Sequence, residues 1–226
     1  MKEFTVRMTK RFVEIASEPI RTKQHVIMLM LEAILLLKNA DVLEKPSNNY
    51  IILKVDKMKR LFFVIENKIF SFNFPFSVEV QEESNNLIIY DSITNLELNA
   101  LNLTVLKLAF KETFFGKEIQ GILDLDSELM QVIDSFETKP NKDEVWQVLK
   151  NLQMFESGYL RYDYDEVHEN GKLHPLNHID INYTPHGTFK IGIKDTLDCN
   201  AFMDILDLNT DSYFIWQCVN RKMRIS

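Results

Sequence analysis

Ile69-Phe70-Ser71-Phe72-Asn73-Phe74-Pro75-Phe76-Ser77-Val78-Glu79-Val80 alternates apolar and polar side chains from end to end. Successive side chains of a strand point to opposite faces, so Phe70, Phe72, Phe74, Phe76, Val78 and Val80 share one side of a sheet. Such a phenylalanine row predicts a core wall, since aromatic burial dominates most interiors. Pro75 has no amide hydrogen to donate and marks an edge, bend or bulge.

Outward from this stretch the same period recurs at Tyr50 to Val55, Arg60 to Ile65 and Leu87 to Asp91. It is also expected from Leu96 to about Phe110, with a register break near Ala100 taken as a bulge or turn. Residues 8–18 and 22–40 read as helices on either side of Glu18-Pro19. Two more helices are expected at Ser127 to Phe136, capped by Ser127, and at Lys142 to Phe155. Asn200 to Leu206 reads as a short helix, and Ser212 to Val219 as a final strand or helix. The chain is therefore expected to be α+β, with a mainly antiparallel sheet and N-terminal and mid-chain helices. We read 1–226 as a single domain, with a helical segment at 1–44, a β-rich part at 50–110, helices at 127–155 and a meander at 159–194.

Composition suits one sizeable folded unit: 226 residues, 46% of them hydrophobic, with only six glycines and six prolines. The formal net charge of −7 argues against non-specific binding to phosphate backbones, which requires clustered Lys and Arg. Nucleic acid thus enters only as a substrate. Cys199 and Cys218 are too far apart for a CxxC site, which removes zinc-knuckle and redox motifs. Val26 to Leu37 is apolar around most of its circumference but falls short of the ~18 residues that span a bilayer. That helix, within 22–40, is expected in the core or at a homodimer or protein-partner interface, with no membrane role. No signal-peptide pattern precedes the first helix, which points to the cytoplasm.

The chemistry is expected in the meander. His168, His174, His178 and His186 are all but one of the five histidines, and they lie between or beside alternating segments. Arg161, Asp163 and Asp165 share one face of the first strand, His178, Asp180 and Asn182 one face of the second, and Thr188 and Lys190 one face of the third. If the apolar faces of these strands turn inward, the polar sets become cross-strand neighbours on an outer face. Imidazoles and carboxylates supply both metal ligands and acid–base groups near neutral pH. Asp163 and Asp165, about 7 Å apart on one strand, would share an ion. The metal-ligand set expected is His174, His178 and Asp163 around a divalent ion, and the catalytic set His174, His178, Asp163, Asp165, Arg161 and Lys190. Polar faces of antiparallel sheets also carry such residues for stability alone.

Arg161-Tyr162-Asp163-Tyr164-Asp165, the loop to His174-Pro175 and His178-Ile179, and the segment Asn200 to Leu206 resemble the C-terminal half of an uncharacterised bacterial family, the domain of unknown function numbered twenty-two ninety. The resemblance covers residues 159–206 and, loosely, the strands at 50–80. Its matching positions are Arg161, Asp163, Asp165, His174, Pro175 and His178, while Phe189-Lys190-Ile191 stands where the family has Arg-Ile-Pro. It implies a bacterial cytosolic protein of a phage-defence or toxin–antitoxin type and no particular reaction. Walker, GxGxxG, HExxH and GxSxG motifs are absent, and His186-Gly187-Thr188 is a single copy of a tripeptide that marks phosphodiesterases only when paired. Two functions are carried forward. One is a metal- or His-dependent phosphodiesterase or nuclease; the other is a non-catalytic accessory or immunity subunit in which Arg161 only braces Asp163 and His178.

Overall fold

The computed structural model describes residues 3–39, 48–55, 58–81, 87–114, 122–187 and 189–211. Strand β1 (Glu3–Arg7) is followed by helices α1 (Lys10–Ser17) and α2 (Lys23–Asn39). Next come β2 (Tyr50–Lys54), β3 (Arg60–Ile65), β4 (Lys68–Asn73), β5 (Ser77–Val80) and β6 (Leu87–Tyr90). Helices α3 (Ala100–Phe114), α4 (Ile122–Asp134) and α5 (Lys142–Met154) precede β7 (Leu160–Tyr164), β8 (Asn177–Ile181), β9 (Phe189–Gly192) and the short α6 (Cys199–Asp204). Seven strands form one antiparallel sheet in the order β1-β2-β3-β4-β7-β8-β9, and β5 and β6 form a separate pair. The α+β expectation holds. Among the described residues, no helix is long and apolar enough to cross a membrane.

The phenylalanine stretch is two strands rather than one. It breaks at Phe74-Pro75-Phe76, where Asn73 N bonds Ser157 O at 2.7 Å and Phe74 N bonds Lys59 O at 2.9 Å, outside any ladder. Pro75 has no amide hydrogen for a ladder at this point. Phe70, Phe72, Phe74 and Phe76 nevertheless all enter the main core, and Phe63 stacks on Phe70 with ring centroids 4.6 Å apart. That core runs from Val6 to Tyr159 and includes side chains of α1 to α5, so the four segments of the sequence reading share one interior.

Three other expectations need correction. The stretch from Leu96 to Phe110 is not one strand: Leu96 to Leu98 pairs back to β6, with Asp91 N donating to Leu96 O at 3.0 Å and Leu98 N to Ile89 O at 2.7 Å, and α3 then starts at Ala100, with Asn99 Oδ1 accepting from Asn102 N at 2.9 Å and Asn99 O accepting from Leu103 N at 2.9 Å. Apolar residues outnumber polar ones from Ala100 on and fit either period, so alternation cannot be told from a helical stripe, and Leu103, Leu106 and Phe110 bury one helical face. Ser127 is not a cap, because α4 begins at Ile122 and carries Ser127 in its interior. Strand β1, which the sequence reading did not include, pairs with β2 and buries Val6. The expectation for Ser212 to Val219 lies outside the described residues, as does that for Thr188.

Helix α2 spends its apolar circumference on the chain's own core: Val26, Ile27, Leu29, Met30, Leu31, Ala33, Ile34 and Leu37 are buried, and Met28, Leu35 and Leu36 pack against the same cluster. The core fate applies to most of this helix, with Met28, Leu35 and Leu36 only partly buried.

Strand β7 is docked beside β4 by a buried arginine. Arg60 donates from Nε to Ser71 Oγ at 2.9 Å, from one terminal nitrogen to Asn73 Oδ1 at 2.6 Å and from the other to Gly158 O at 2.5 Å. Burial lowers the Arg60 guanidinium to about 10. Gly158 has φ +51°, and a Cβ there would lie 2.9 Å from Asn73 Nδ2, so the turn into β7 requires glycine.

Candidate functional site

The register of β7 against β4 decides which way the meander faces. Arg161 lies opposite Phe70 and Asp163 opposite Lys68, and directly opposed residues project from the same side of a sheet. The polar face of the meander is therefore continuous with the helix-covered phenylalanine face, which corrects the expectation that it turns outward. Leu160, Ile181 and Phe189 take the other face, where Ile181 is 42% and Phe189 73% exposed. Alternation ends at Asn182, whose φ of +61° lies in the left-handed region. Tyr183 then packs on Tyr159 rather than beside Ile181.

Cross-strand pairing brings Arg161 opposite Asp180 and Asp163 opposite His178, while Asp180 faces Lys190 of β9. Arg161 Nε donates to Asp163 Oδ2 at 2.5 Å, and its terminal nitrogen bonds Asp180. Lys190 Nζ donates to Asp180 Oδ1 at 2.9 Å and stands 2.8 Å from His178 Nε2. His178 Nδ1 lies 2.7 Å from Pro175 O. A carbonyl only accepts, so Nδ1 carries a proton. His178 and Asp180 are fully buried, and burying charge is tolerable only when it is paired and hydrogen-bonded. Arg161 and Lys190 supply two cations to the carboxylates of Asp163 and Asp180, and the His178 imidazole lies among them. Burial pushes the Asp163 carboxyl up, but neighbouring His178 and Arg161 outweigh it and hold it below the usual carboxylate range.

The remaining expected site residues lie in the β7–β8 loop. Asp165 accepts from His168 N at 3.0 Å and contacts His168 Nδ1 at 3.0 Å. His174 Nε2 is 3.2 Å from Asp165 Oδ2 but lacks hydrogen-bond alignment. The His174 ring stands edge-on to His178 at 4.8 Å. Pro175 packs on Gly192, where a Cβ would meet Pro175 Cγ at 2.7 Å, and this anchors the loop over β9. The six expected residues thus divide: Arg161, Asp163, His178 and Lys190 form one lattice with Asp180, and Asp165 and His174 form a loop group with His168.

Ligand atoms of Asp163, His178 and Asp180 lie within 4.8 Å of one another, a spacing suited to a divalent ion. The donor set does not fit one as it stands. Lys190 Nζ already engages His178 Nε2 and Asp180 Oδ1, and His174 turns its Nε2 to Asp165 rather than to this triad. The ion shared by Asp163 and Asp165 is likewise not arranged, since the two carboxylates have different partners.

Sequence reading missed Lys68 and Tyr159, and named His168 without giving it a role. Lys68 Nζ donates to Ala16 O at 3.2 Å and lies over Phe70, and burial together with Arg161 lowers it to about 8. Tyr159 is 3% exposed and its hydroxyl has no hydrogen-bond partner; burial pushes the phenol up to about 12. His168 was passed over as a loop residue, although its spacing from Asp165 is that of an Asx turn.

Compared with protein-family models, curated proteins and solved structures, the chain matches none.

Proposed function

We propose that the protein works by binding rather than by chemistry at the β7–β9 cluster, as a non-catalytic accessory or immunity subunit of the bacterial, cytoplasmic kind that the family resemblance implies. The observation that carries this reading is the charge closure of the lattice. Each group that would stabilise a developing phosphoryl charge, Arg161 and Lys190, is already bonded to Asp163 or Asp180. A catalytic cation must instead be preorganised toward the reacting atom. The contact surface would lie on the side of the sheet away from the lattice, where Phe189 and Ile181 are exposed at what is, among the described residues, its β9 edge. A partner adding a strand there would cover both side chains.

A second reading, a His-dependent phosphodiesterase or nuclease, draws on one specific feature. Asp165 holds Nδ1 of His168, which leaves Nε2 of this exposed imidazole as a proton acceptor, with His174 behind the same carboxylate. One assay separates the two. Purified protein is offered RNA, DNA and a simple aryl phosphodiester with Mg, Mn and Zn ions in turn, beside the His168→Ala and His174→Ala variants. The binding reading expects equal background turnover in all three proteins. Turnover that either substitution abolishes, with an unchanged thermal midpoint, overturns it.

A further inference from the structure

A groove of about 470 Å³ lies on the opposite face of the sheet from the lattice and is walled in part by Tyr50, Tyr162, Tyr164, Glu66, Asp198 and Cys199. Its size falls within the range of small-molecule sites. Two features define what it would take.

The first is that the tyrosine hydroxyls are committed. Tyr162 donates to Asn177 Oδ1 at 2.8 Å, Tyr164 donates to Glu166 Oε1 at 2.7 Å, and Tyr50 shares a hydrogen bond with the Cys199 thiol. What they add to the wall is aromatic ring. Burial pushes the Tyr50 phenol up to about 12, so this ring stays uncharged through the physiological range.

The second is the sign of the surrounding charge. Glu66 and Asp198 are exposed at the groove, and Glu3 and Asp198 both act electrostatically on Tyr50 and Cys199. Lys54, which also acts on Cys199, is paired with Glu3 at 3.5 Å. Lys68, the basic residue among the described lining, directs its ammonium to the carbonyl oxygens of Ala16 and Ser17. An acidic rim repels phosphates, and aromatic faces attract organic cations.

We propose that this groove binds a small organic cation, a guanidinium or alkylammonium on a short chain, held between the rings of Tyr50, Tyr162 and Tyr164 and the carboxylates of Glu66 and Asp198. The groove lies on the same sheet face as Ile181 and Phe189 but is lined by neither, so the site is independent of the partner contact placed there. The occupant is a free ligand. The chain's own Arg221-Lys222-Met223-Arg224 stretch carries the same chemistry and is the source to be distinguished from it.

Agmatine, which carries both cationic groups, is the probe, titrated by calorimetry into the full chain with AMP as the anionic control. Saturable binding of agmatine and none of AMP is expected, with Tyr164→Leu and Glu66→Gln each weakening it about tenfold. Glu66 is exposed, so its substitution keeps the fold if Tyr164→Leu does not. Absence of binding at about 10 mM agmatine, equal binding of AMP, or wild-type affinity in the Glu66→Gln variant overturns the site. Agmatine binding that tightens about tenfold in the Arg221→Gln, Lys222→Gln, Arg224→Gln variant overturns the free-ligand assignment in favour of the chain's own tail.

Discussion

The same face of one seven-stranded sheet is built in two ways. Across β3 and β4 it is filled by Phe63, Phe70 and Phe72, packed ring on ring under α1. Across β7, β8 and β9 it carries Arg161, Asp163, His178, Asp180 and Lys190, bonded ion to ion. Both halves are largely closed to water, but by different physics. Phenylalanine contacts are non-directional and gain stability with area removed from water. The ionic half must recover a large desolvation cost through geometry, and each member depends on the others being present. A phenylalanine lost leaves a void, whereas an ion lost leaves an uncompensated charge.

The largest effects test that contrast directly. Phe63→Ala and Asp180→Ala should each cost about 3–5 kcal/mol in denaturant unfolding at neutral pH. Their rescue should differ. Combining Asp180→Leu with Lys190→Met removes an anion and a cation together and leaves Arg161 on Asp163, so the double variant should recover about 1–3 kcal/mol over Asp180→Leu alone. Strict additivity of the two single losses would show that the five groups do not act as one network.

Acid should then separate the halves at smaller amplitude. The Asp163 carboxyl is held below its ordinary range in the folded chain. Its contribution is therefore complete above the unfolded carboxylate pKa of ~3.9 and disappears as pH falls through the lower folded value. Urea midpoints between about pH 5 and 2 should fall with a wild-type slope in Phe63→Leu and with a shallower one in Asp163→Asn. Equal slopes in the two variants would remove Asp163 from the account.

The boundary between the halves supplies the smallest effect. Lys68, opposite Asp163 and over Phe70, is lowered to about 8 in the fold. Since this lies below the unfolded value of ~10.4, the penalty of keeping Lys68 charged is complete below the folded pKa and eases as pH rises through it. Wild-type stability should gain relative to Lys68→Met between about pH 7 and 9, before the tyrosines titrate. A constant difference across that window would mean that Lys68 is not held charged against its surroundings.

Much of the site was legible in the chain. Alternation at Leu160 to Tyr164 and at His178 to Ile181 was enough to predict that Arg161, Asp163, His178 and Asp180 share a face, and the register pairs them as opposed neighbours. Lys190 followed from the same period, one strand further. What alternation could not show is which face is covered, because a strand's two sides are equivalent until it pairs with something else. Asp165 illustrates the local limit: its parity matches Asp163, yet it lies past the end of β7 and its carboxylate turns to His168 and His174. Lys68 and Tyr159 carried no signal, since each reads as an ordinary strand or loop residue until β4 and β7 are brought together. The part of Leu96 to Phe110 that forms α3 failed for the opposite reason, being rich enough in apolar residues to be compatible with either period.

By itself, then, the amino-acid order determined the β-period of most strands, the helices flanking Glu18-Pro19 and the set of ionisable groups sharing a face, because these depend on spacing along a few residues. Only the tertiary structure decided that the ionic face of β7 to β9 continues the phenylalanine wall, and that Lys190 reaches His178 and Asp180 within it. Both follow from the pairing of β7 with β4, residues some ninety positions apart in sequence, and strand register at that distance is set by the packing of whole elements rather than by any local pattern.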